Sequence, residues 1–274
     1  MKFGFIIPHN FGLDDPNDVL NIGKRAEEFG FDSVWVNHHI LNVGYIFDRL
    51  GSKPYYDAIT VLTWVAAHTE RVRLGTTVLV LPYLNPLVLA KTLATVDVMS
   101  KGRLNVGVGV GALKPESDAL GSTFETRGRY ADESIKIMRE LWESEDPEFD
   151  GEFFSFSGVK FSPKPIQKPG PPILIGGASR AALRRVATLG DGWHPIRQSI
   201  TDLKQNIATI HRLAEEAGRL HAAGKFQAAI PVARELLQRT QEIAGPDHPL
   251  VSQSLNNIAL LLQKTRQYDE AQML

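Results

Sequence analysis

The sequence PILIGGASR occupies residues 172–180. A short apolar run bounded by proline and glycine is typical of a buried strand. The small residues from Gly176 to Ser179 then lead straight into a helical stretch that begins near Ala181. Strand-then-helix units of this kind recur six times between residues 1 and 218. Apolar strands separated by amphipathic helices predict a parallel sheet covered by helices, either a barrel or an open doubly wound sheet.

The predicted elements follow from apolar periodicity and from helix start and stop signals. Strands are predicted at residues 3–7, 33–36, 72–81, 103–108, 172–175 and 192–194. Helices are predicted at residues 16–29, 57–69, 86–99, 127–142, 181–189 and 201–217. An aromatic-rich segment at residues 149–161 predicts a hairpin inserted over one end of the sheet. No stretch after Gly218 has the pattern of a seventh or eighth strand, so the units stop two short of a closed barrel of eight.

Composition excludes several classes of partner. The chain has 274 residues, a formal net charge of −1 and a pI near 6.7, which favours neither nucleic acid nor an anionic membrane surface. The absence of cysteine removes disulfides, thiolate nucleophiles and sulfur metal sites. The apolar run at the N-terminus is too short for a signal-peptide core, and no stretch approaches about 18 uninterrupted apolar residues. We therefore expect a cytoplasmic protein that binds neither nucleic acid nor membrane.

Two glycine-rich strand ends are candidate ligand loops. GVGVG at residues 107–111 does not match the dinucleotide fingerprint, which needs a glycine three residues after Gly109, where this chain has Ala112. Its glycines either allow a tight turn or let the backbone at Gly109 approach a flat ligand. The loop Gly176 to Ser179 opens a helix, so its free amides form either a phosphate cradle or an ordinary turn with an N-cap.

Seven segments in order resemble the bacterial luciferase-like monooxygenase family, in its subgroup that uses the deazaflavin coenzyme F420. They are DSVWV (32–36), RVRLGTTV (71–78), NPLVLAK (85–91), GVGVG (107–111), FSPKP (161–165), IGG (175–177) and GDGWHP (190–195). The resemblance covers residues 1–218 and implies a TIM-type (β/α)8 barrel, here with about six units, whose coenzyme lies across the carboxyl ends of the strands. The implied reaction is hydride transfer between F420 and a small organic substrate. Monooxygenation with flavin mononucleotide (FMN) is the near alternative.

The resemblance also assigns roles to individual residues. Gly176, Gly177, Ala178 and Ser179 would hold the coenzyme phosphate. Thr77 and Val78 match the place where the family often has a non-prolyl cis peptide that bulges against the deazaflavin ring, and simple strand packing is the alternative.

Histidines after the first two strands are candidates for the chemistry. His39 matches the histidine of the family's acid-histidine pair and is the candidate acid/base, whereas His38 stands where the acid is expected. A metal site is not expected, because neighbouring strand residues point to opposite faces and no acid completes a ligand set nearby. Glu116 is displaced from the position after the glycines where some relatives carry an acidic donor, which makes it a poor candidate. His9, His38 and Trp193 are possible pocket walls, and His194 follows Trp193 at the same strand end.

The last part of the chain has a different pattern. Residues 220–229 align with residues 262–271 at a constant offset of 42 residues, which resembles tetratricopeptide repeats (TPR) of the kinesin-light-chain type. The predicted division is a coenzyme-binding barrel at residues 1–218 and a TPR-like fragment at residues 219–274. Exposed barrel edges favour a homo-oligomer or a complex with a protein partner. Either the helical segment or another chain is expected to cover these edges. A non-catalytic relict barrel that scaffolds a repeat surface is therefore the alternative to an oxidoreductase.

Overall fold

The computed structural model of the chain describes residues 2–218 and residue 238. The chain divides into two compact units, residues 1–210 and 211–274. The described residues of the second unit, 211–218 and 238, are helical. The repeat predicted for residues 219–274 lies outside the described residues apart from that one position, and it stays a prediction.

The first unit is a curled parallel sheet with helices on its outer face. The strands are β1 (Gly4–Ile6), β2 (Ser33–Val36), β3 (Arg73–Thr76), β4 (Leu79–Val80), β5 (Leu104–Gly109), β6 (Phe149–Asp150), β7 (Ser155–Phe156), β8 (Ile173–Gly176) and β9 (Gly192–His194). The sheet runs β1-β2-β3-β5-β8-β9 with β4 also paired to β5, and every pair in it is parallel. Strand order follows chain order without the reversal of a doubly wound sheet, so the winding is that of a barrel. β6 and β7 form the predicted antiparallel hairpin.

Helices connect these strands at the expected places. They are α1 (Pro16–Glu28), α2 (Tyr45–Leu50), α3 (Ala58–Ala67), α4 (Pro86–Met99), α5 (Lys114–Ala119), α6 (Arg127–Glu143) and α7 (Arg180–Leu189), and residues 200–210 are also helical. Side chains of Asp15, Asp57, Asn85 and Ser179 cap the first turns of α1, α3, α4 and α7. The helices α2 and α5 were not predicted, because six residues are too few to show a period.

The third predicted strand is two strands. Residues 72–81 were expected to run as one, but β3 ends at Thr76 and β4 begins at Leu79. The peptide bond between Thr77 and Val78 is cis, as the family resemblance implied. The chain therefore bulges between β3 and β4, at the carboxyl end of the sheet.

The concave face of the sheet is lined by glycine, polar residues and one large ring. A Cβ on Gly4 or on Gly75 would come within 2.5 Å of the indole of Trp35, so both glycines make room for this ring. Trp35 stacks on His194 of β9 with ring centroids 5.5 Å apart and planes inclined by 27°. Because three strands separate β2 from β9 in the sheet, this contact crosses the lumen and requires a strongly curled sheet.

The outer face of the sheet carries the hydrophobic core. Alternate residues of the strands, such as Val34, Leu74 and Val106, are fully buried against the helices, and Trp142 of α6 donates its indole N–H to the carbonyl of Ala90 at 3.1 Å. β1 and β9 end the sheet, and Ile6 of β1 is 52% exposed. Residues 2–218 contain no seventh or eighth parallel unit. Among the residues that the structure describes, no helix is long and apolar enough to cross a membrane.

Candidate active site

His39 and Glu116 form a hydrogen-bonded pair beyond the carboxyl ends of β2 and β5. Nδ1 of His39 lies 2.7 Å from Oε2 of Glu116, whose side chain is fully buried. Oε1 of Glu116 accepts hydrogen bonds from the backbone amides of Ile40 and Leu41 at 2.7 and 3.1 Å. Burial raises the pKa of Glu116, but the hydrogen bonds from His39 and from these two amides outweigh it and hold the pKa below its ordinary value. The carboxylate is therefore ionised at neutral pH.

The Glu116 carboxylate also fixes which nitrogen of His39 carries the proton. An ionised carboxylate only accepts hydrogen bonds, so Nδ1 of neutral His39 carries the hydrogen and Nε2 carries the lone pair. The hydroxyl of Tyr45 lies 3.1 Å from Nε2, and Tyr45 is 55% exposed. Nε2 therefore points to the open side of the pair, as a general base must. The sequence makes Glu116 a poor candidate, because it lies five residues beyond Gly111. In the structure, α5 returns its side chain to the site, so this prediction is wrong.

Two further tyrosines, neither of which the sequence analysis singled out, surround this pair. The ring of Tyr55 meets that of His39 edge-on, with centroids 6.0 Å apart. The hydroxyl of Tyr83 donates to the carbonyl of Leu113 at 3.4 Å. Burial raises the pKa of both phenols, so both remain protonated donors at neutral pH. Tyr83 ends a short 3-10 helix directly after β4, and Tyr55 lies in the loop before α3. Neither position carries a motif, and only Tyr83 lies close in sequence to a predicted strand end.

His38 lies beneath the surface of the site and supports the bulge. Its side chain is only 3% exposed, and Nδ1 accepts the backbone N–H of Val80 in β4 at 3.2 Å. Burial lowers the pKa of His38 to about 4, so the ring is neutral at neutral pH. Where the family has an acid, this chain therefore has a neutral acceptor that holds β4 in place.

His9 is fully buried between the ends of β1 and β2. Nδ1 lies 3.0 Å from the carbonyl of Ile7 and Nε2 lies 2.9 Å from the carbonyl of Asn37. Burial lowers the pKa of His9. Its ring nitrogens thus face the backbone, and an edge of the ring contacts Tyr55 with centroids 5.5 Å apart.

Thr77, on the bulge, contacts a histidine from the far side of the sheet. Its hydroxyl lies 2.7 Å from Nε2 of His194, and its backbone N–H donates to the carbonyl of Val36 at 2.8 Å. Burial lowers the pKa of His194, which is therefore neutral at neutral pH. Thr77 is thus held through its backbone by β2 and through its side chain by β9.

Val78 is packed into a gap between glycines. A Cβ on Gly109 would lie 2.7 Å from the Val78 side chain, and one on Gly176 would lie 3.1 Å from it. A Cβ on Gly107 would lie 1.9 Å from the carbonyl oxygen of Thr76. The glycines of residues 107–111 therefore accommodate the bulge, a reason for GVGVG that the sequence alone did not reveal. Gly109 therefore packs against Val78, and Val78 lies between Gly109 and the predicted position of the coenzyme ring.

The loop from Gly176 to Ser179 lies beside Val78 and opens α7. Gly177 has φ of +99°, a conformation that favours glycine, and its carbonyl accepts the indole N–H of Trp193 at 2.6 Å. Oγ of Ser179 accepts the backbone N–H of Ala182 at 3.2 Å, which leaves its hydroxyl hydrogen free to donate. The first amides of α7 lack helical acceptors. With Ala178 small as well, the residues present fit a phosphate group next to the bulge.

The donor set does not suggest a metal centre. Within residues 2–218 and at residue 238, no three His, Asp or Glu side chains are grouped so that they could hold a metal ion. His38 contacts the backbone N–H of Val80, whereas His39 contacts Glu116 and Tyr45.

Several relatives of this chain have a stated activity. It is 35% identical over 182 residues to an F420-dependent glucose-6-phosphate dehydrogenase of Amycolatopsis mediterranei, an alignment that covers 65% of this chain and 53% of that protein. The chain thus spans about half the length of that relative. It is 29% identical over 225 residues to an FMNH(2)-dependent dimethylsulfone monooxygenase of Pseudomonas putida, covering 81% of this chain and 60% of that one.

Solved structures show the same fold. An F420-dependent secondary alcohol dehydrogenase in complex with an F420-acetone adduct has a TM-score of 0.69 and 27% identity, covering 79% of this chain and 64% of that one. A monooxygenase from Streptomyces bottropensis has a TM-score of 0.69 and 28% identity, covering 80% of this chain and 67% of that one. Both likenesses support the barrel winding described above.

Family membership rests on a match to most of the chain. The chain is 35% identical over 221 residues to an uncharacterized protein of Mycobacterium tuberculosis, covering 76% of this chain and 75% of that protein. The family model described as luciferase-like monooxygenase matches residues 1–268, which extends past residue 218, where the resemblance was expected to end. This chain belongs to the luciferase-like monooxygenase family.

Proposed function

We propose that this chain is an oxidoreductase that transfers a hydride between coenzyme F420 and a small organic substrate. The observation that carries the proposal is the contact of 2.7 Å between His39 and Glu116. The pair follows β2 and β5, the Thr77–Val78 bulge follows β3, and the small-residue loop follows β8. Carboxyl ends of parallel strands meet at one edge of a sheet, so the proton-handling pair, the bulge and the loop share one end of the fold.

Each residue has a defined task in this proposal. Nε2 of His39 takes the hydroxyl proton when an alcohol is oxidised and returns it when a carbonyl is reduced. Glu116 stabilises the imidazolium that forms. The amides of α7 and the hydroxyl of Ser179 bind the coenzyme phosphate, and Val78 supports the ring from the lumen side. The deazaflavin, when bound, supplies the hydride chemistry.

The reaction balances with these groups. Oxidation of a secondary alcohol breaks one C–H bond, whose hydride the oxidised coenzyme would accept when bound, and one O–H bond, whose proton goes to His39. The product is a ketone. Because the imidazolium lies toward the exposed Tyr45, the proton can then pass to solvent.

An FMN-dependent monooxygenase is the second candidate. FMN also carries a phosphate and a planar tricyclic ring, so the same loop and bulge suit it. The Pseudomonas putida relative, which uses FMNH(2), favours this candidate.

Fluorescence titration distinguishes the two coenzymes. Purified protein is titrated with F420 and, separately, with FMN, and the ligand fluorescence is followed. We expect saturable binding of F420 that is tighter than binding of FMN. Tighter FMN binding would favour the monooxygenase, and binding of neither at tens of micromolar would contradict both candidates.

A third candidate, of another class, is a non-catalytic barrel that scaffolds an interaction surface. The unpaired outer edges of β1 and β9 in the described sheet favour it, because open edges present free backbone donors and acceptors to another chain. A homo-oligomer or a complex with a protein partner would cover them. Light scattering of the purified chain tests this: a monomer at all concentrations contradicts self-association.

A further inference from the structure

A cavity of about 820 Å³ lies at the amino end of the lumen, opposite the candidate active site. Ser33 begins β2, Arg73 begins β3 and Asn105 is the second residue of β5, and all three line the cavity. Its lining also includes Lys2 and Phe3, which are both exposed, so the cavity opens to solvent. A volume of this size is typical of sites that bind small organic molecules.

Three strand residues of this cavity carry hydrogen-bond donors that have no acceptor in the described part of the chain. Arg73 donates from Nε and Nη2 to Oδ1 of Asn105 at 3.3 and 2.9 Å, and Nη2 also donates to two other neutral oxygens. Nη1 of Arg73 and Nδ2 of Asn105 are left unused, and both atoms are accessible to solvent. Oγ of Ser33 accepts the indole N–H of Trp35 at 2.8 Å, which leaves the hydroxyl hydrogen free. Since Ser33 and Arg73 are direct partners in the β2–β3 register, the three donors lie together.

The charges around the cavity favour an anion. Three basic side chains line it against two acidic ones, namely Lys2, Arg71, Arg73, Glu27 and Asp32. The carboxylate of Glu27 accepts the backbone amides of residues 70–72, and Oδ2 of Asp32 accepts the amide of Phe3 at 2.6 Å. Arg73 keeps its charge and, in the described chain, has only neutral acceptors. Free donors and excess positive charge together select a group that only accepts hydrogen bonds, such as a carboxylate.

An aromatic wall borders the same cavity. Trp35 and His194 both line it, and their rings stack with centroids 5.5 Å apart. A flat apolar group can pack against such rings. An inorganic anion is far smaller than the cavity and would leave this wall to water. Size and wall chemistry therefore favour an organic anion that carries a ring.

We propose that the amino end of the lumen is a second binding site, for a small aromatic carboxylate. Nη1 of Arg73, Nδ2 of Asn105 and the hydroxyl of Ser33 donate to the carboxylate, and the ring of the ligand lies against Trp35. None of these four residues belongs to the coenzyme loop, to the Thr77–Val78 bulge or to the His39–Glu116 pair. The site is therefore independent of the proposed hydride transfer.

Isothermal titration calorimetry of the full chain tests the site with three probes. They are 2-naphthoate, its neutral amide 2-naphthamide, and inorganic phosphate. We expect saturable binding of 2-naphthoate that is about 10- to 100-fold tighter than binding of the amide, the value of hydrogen bonds to a charged group. Phosphate should bind more weakly than 2-naphthoate, because it cannot use the aromatic wall.

Asn105→Asp distinguishes this site from any other anion site on the chain. Aspartate keeps an acceptor for Arg73, so Tm should be retained, but its charge neutralises the guanidinium and repels a carboxylate. Affinity for 2-naphthoate should fall by at least about 10-fold. The matched control is Asn85→Asp, the same change at the N-cap of α4, where aspartate caps as well as asparagine and the affinity should not change.

Ser33→Ala is a second variant that keeps the site testable if Asn105→Asp does not fold. It removes one of the three donors and should weaken 2-naphthoate binding about 3- to 10-fold. Unchanged affinity in either variant would overturn the site. Equal affinities for 2-naphthoate and its amide, tighter binding of phosphate, or 2-naphthoate binding that does not saturate would overturn it as well.

Discussion

Nδ1 of His39 and Oε2 of Glu116 lie 2.7 Å apart although 77 positions separate them in the chain. The pair joins the loop after β2 to α5, and the amides of Ile40 and Leu41 hold the carboxylate from the other side. Glu116 thus orients the imidazole, in the way that a carboxylate commonly serves a working histidine.

Glu116→Gln tests this orienting role. Glutamine keeps an acceptor for the Ile40 and Leu41 amides but cannot stabilise an imidazolium, so turnover should fall while F420 affinity stays constant. His39→Gln should lower turnover by about 10²- to 10⁴-fold, the usual value of general acid–base catalysis. Steady-state F420 reduction gives the rates and fluorescence titration the affinities. Unchanged turnover in Glu116→Gln would contradict the role.

The buried His38 should make the fold sensitive to mild acid. Its pKa is lowered from 6.5 to about 4, so the unfolded chain binds this proton first, and stability falls as pH drops from about 6.5 toward 4. The full contribution is about 3 kcal/mol. Glutamine at position 38 retains an acceptor for the Val80 amide without titrating. His38→Gln should therefore show a smaller loss of Tm between pH 7 and pH 4.5 than the unmodified chain.

Two other histidines limit the size of that difference. Burial also lowers the pKa of His9 and of His194, so both contribute acid sensitivity of the same sign. The acid dependence of Tm should shrink in His38→Gln without disappearing. Identical Tm profiles for the two proteins would mean that His38 does not titrate in this range.

Glu116 should add acid sensitivity of the same sign at lower pH. Its folded pKa lies below its ordinary value of 4.5, so it stabilises the fold above that pH and the contribution is lost as pH falls through the folded pKa. Glu116→Gln should remove this part of the pH dependence of stability. Tm measured from pH 5 to pH 3 checks it. A profile as steep as that of the unmodified chain would contradict the assignment.

Gly107 should be intolerant of a side chain. Its Cβ would come 1.9 Å from the carbonyl oxygen of Thr76, so Gly107→Ala must displace the bulge. The expected loss is about 1 to 3 kcal/mol of unfolding free energy, together with weaker coenzyme binding. Gly128, in α6, provides the matched control, because a Cβ there would lie 3.6 Å from the Arg185 guanidinium, an ordinary contact. Gly128→Ala should therefore be neutral or stabilising. Equal unfolding curves for the two variants would refute this role of Gly107.

Ser179 allows capping to be separated from phosphate binding. Aspartate is as good an N-cap as serine, so Ser179→Asp should retain the stability of α7, but its charge should repel a phosphate and abolish coenzyme binding. Ser179→Ala should lose about 1 kcal/mol of stability and weaken binding only in part. Chemical denaturation and coenzyme titration of both variants give the two quantities. Normal coenzyme affinity in Ser179→Asp would place the phosphate elsewhere.

Local signals in the sequence were enough to predict most elements of the sheet and its helices. The bounds of β2, α4 and β9 agree with the predictions. Asn85 and Pro86 mark the start of α4, and Gly192 and Pro195 mark the ends of β9. The Thr77–Val78 bulge was predicted only through the family resemblance. β3 and β4 were predicted as one strand, because an apolar run does not show where the hydrogen bonding between neighbouring strands is interrupted.

Contacts between distant loops could not be predicted in this way. The return of Glu116 to His39 depends on α5, a helix of six residues, and the Trp35–His194 stack depends on how strongly the sheet curls.

A crystal structure of the chain with F420 tests the central claim most directly. We predict the phosphate within hydrogen-bond distance of Ser179 and the first amides of α7, the deazaflavin ring against Val78, and Nε2 of His39 facing the substrate side of that ring. A coenzyme bound elsewhere, or one whose ring lies away from Val78 and His39, would contradict the account.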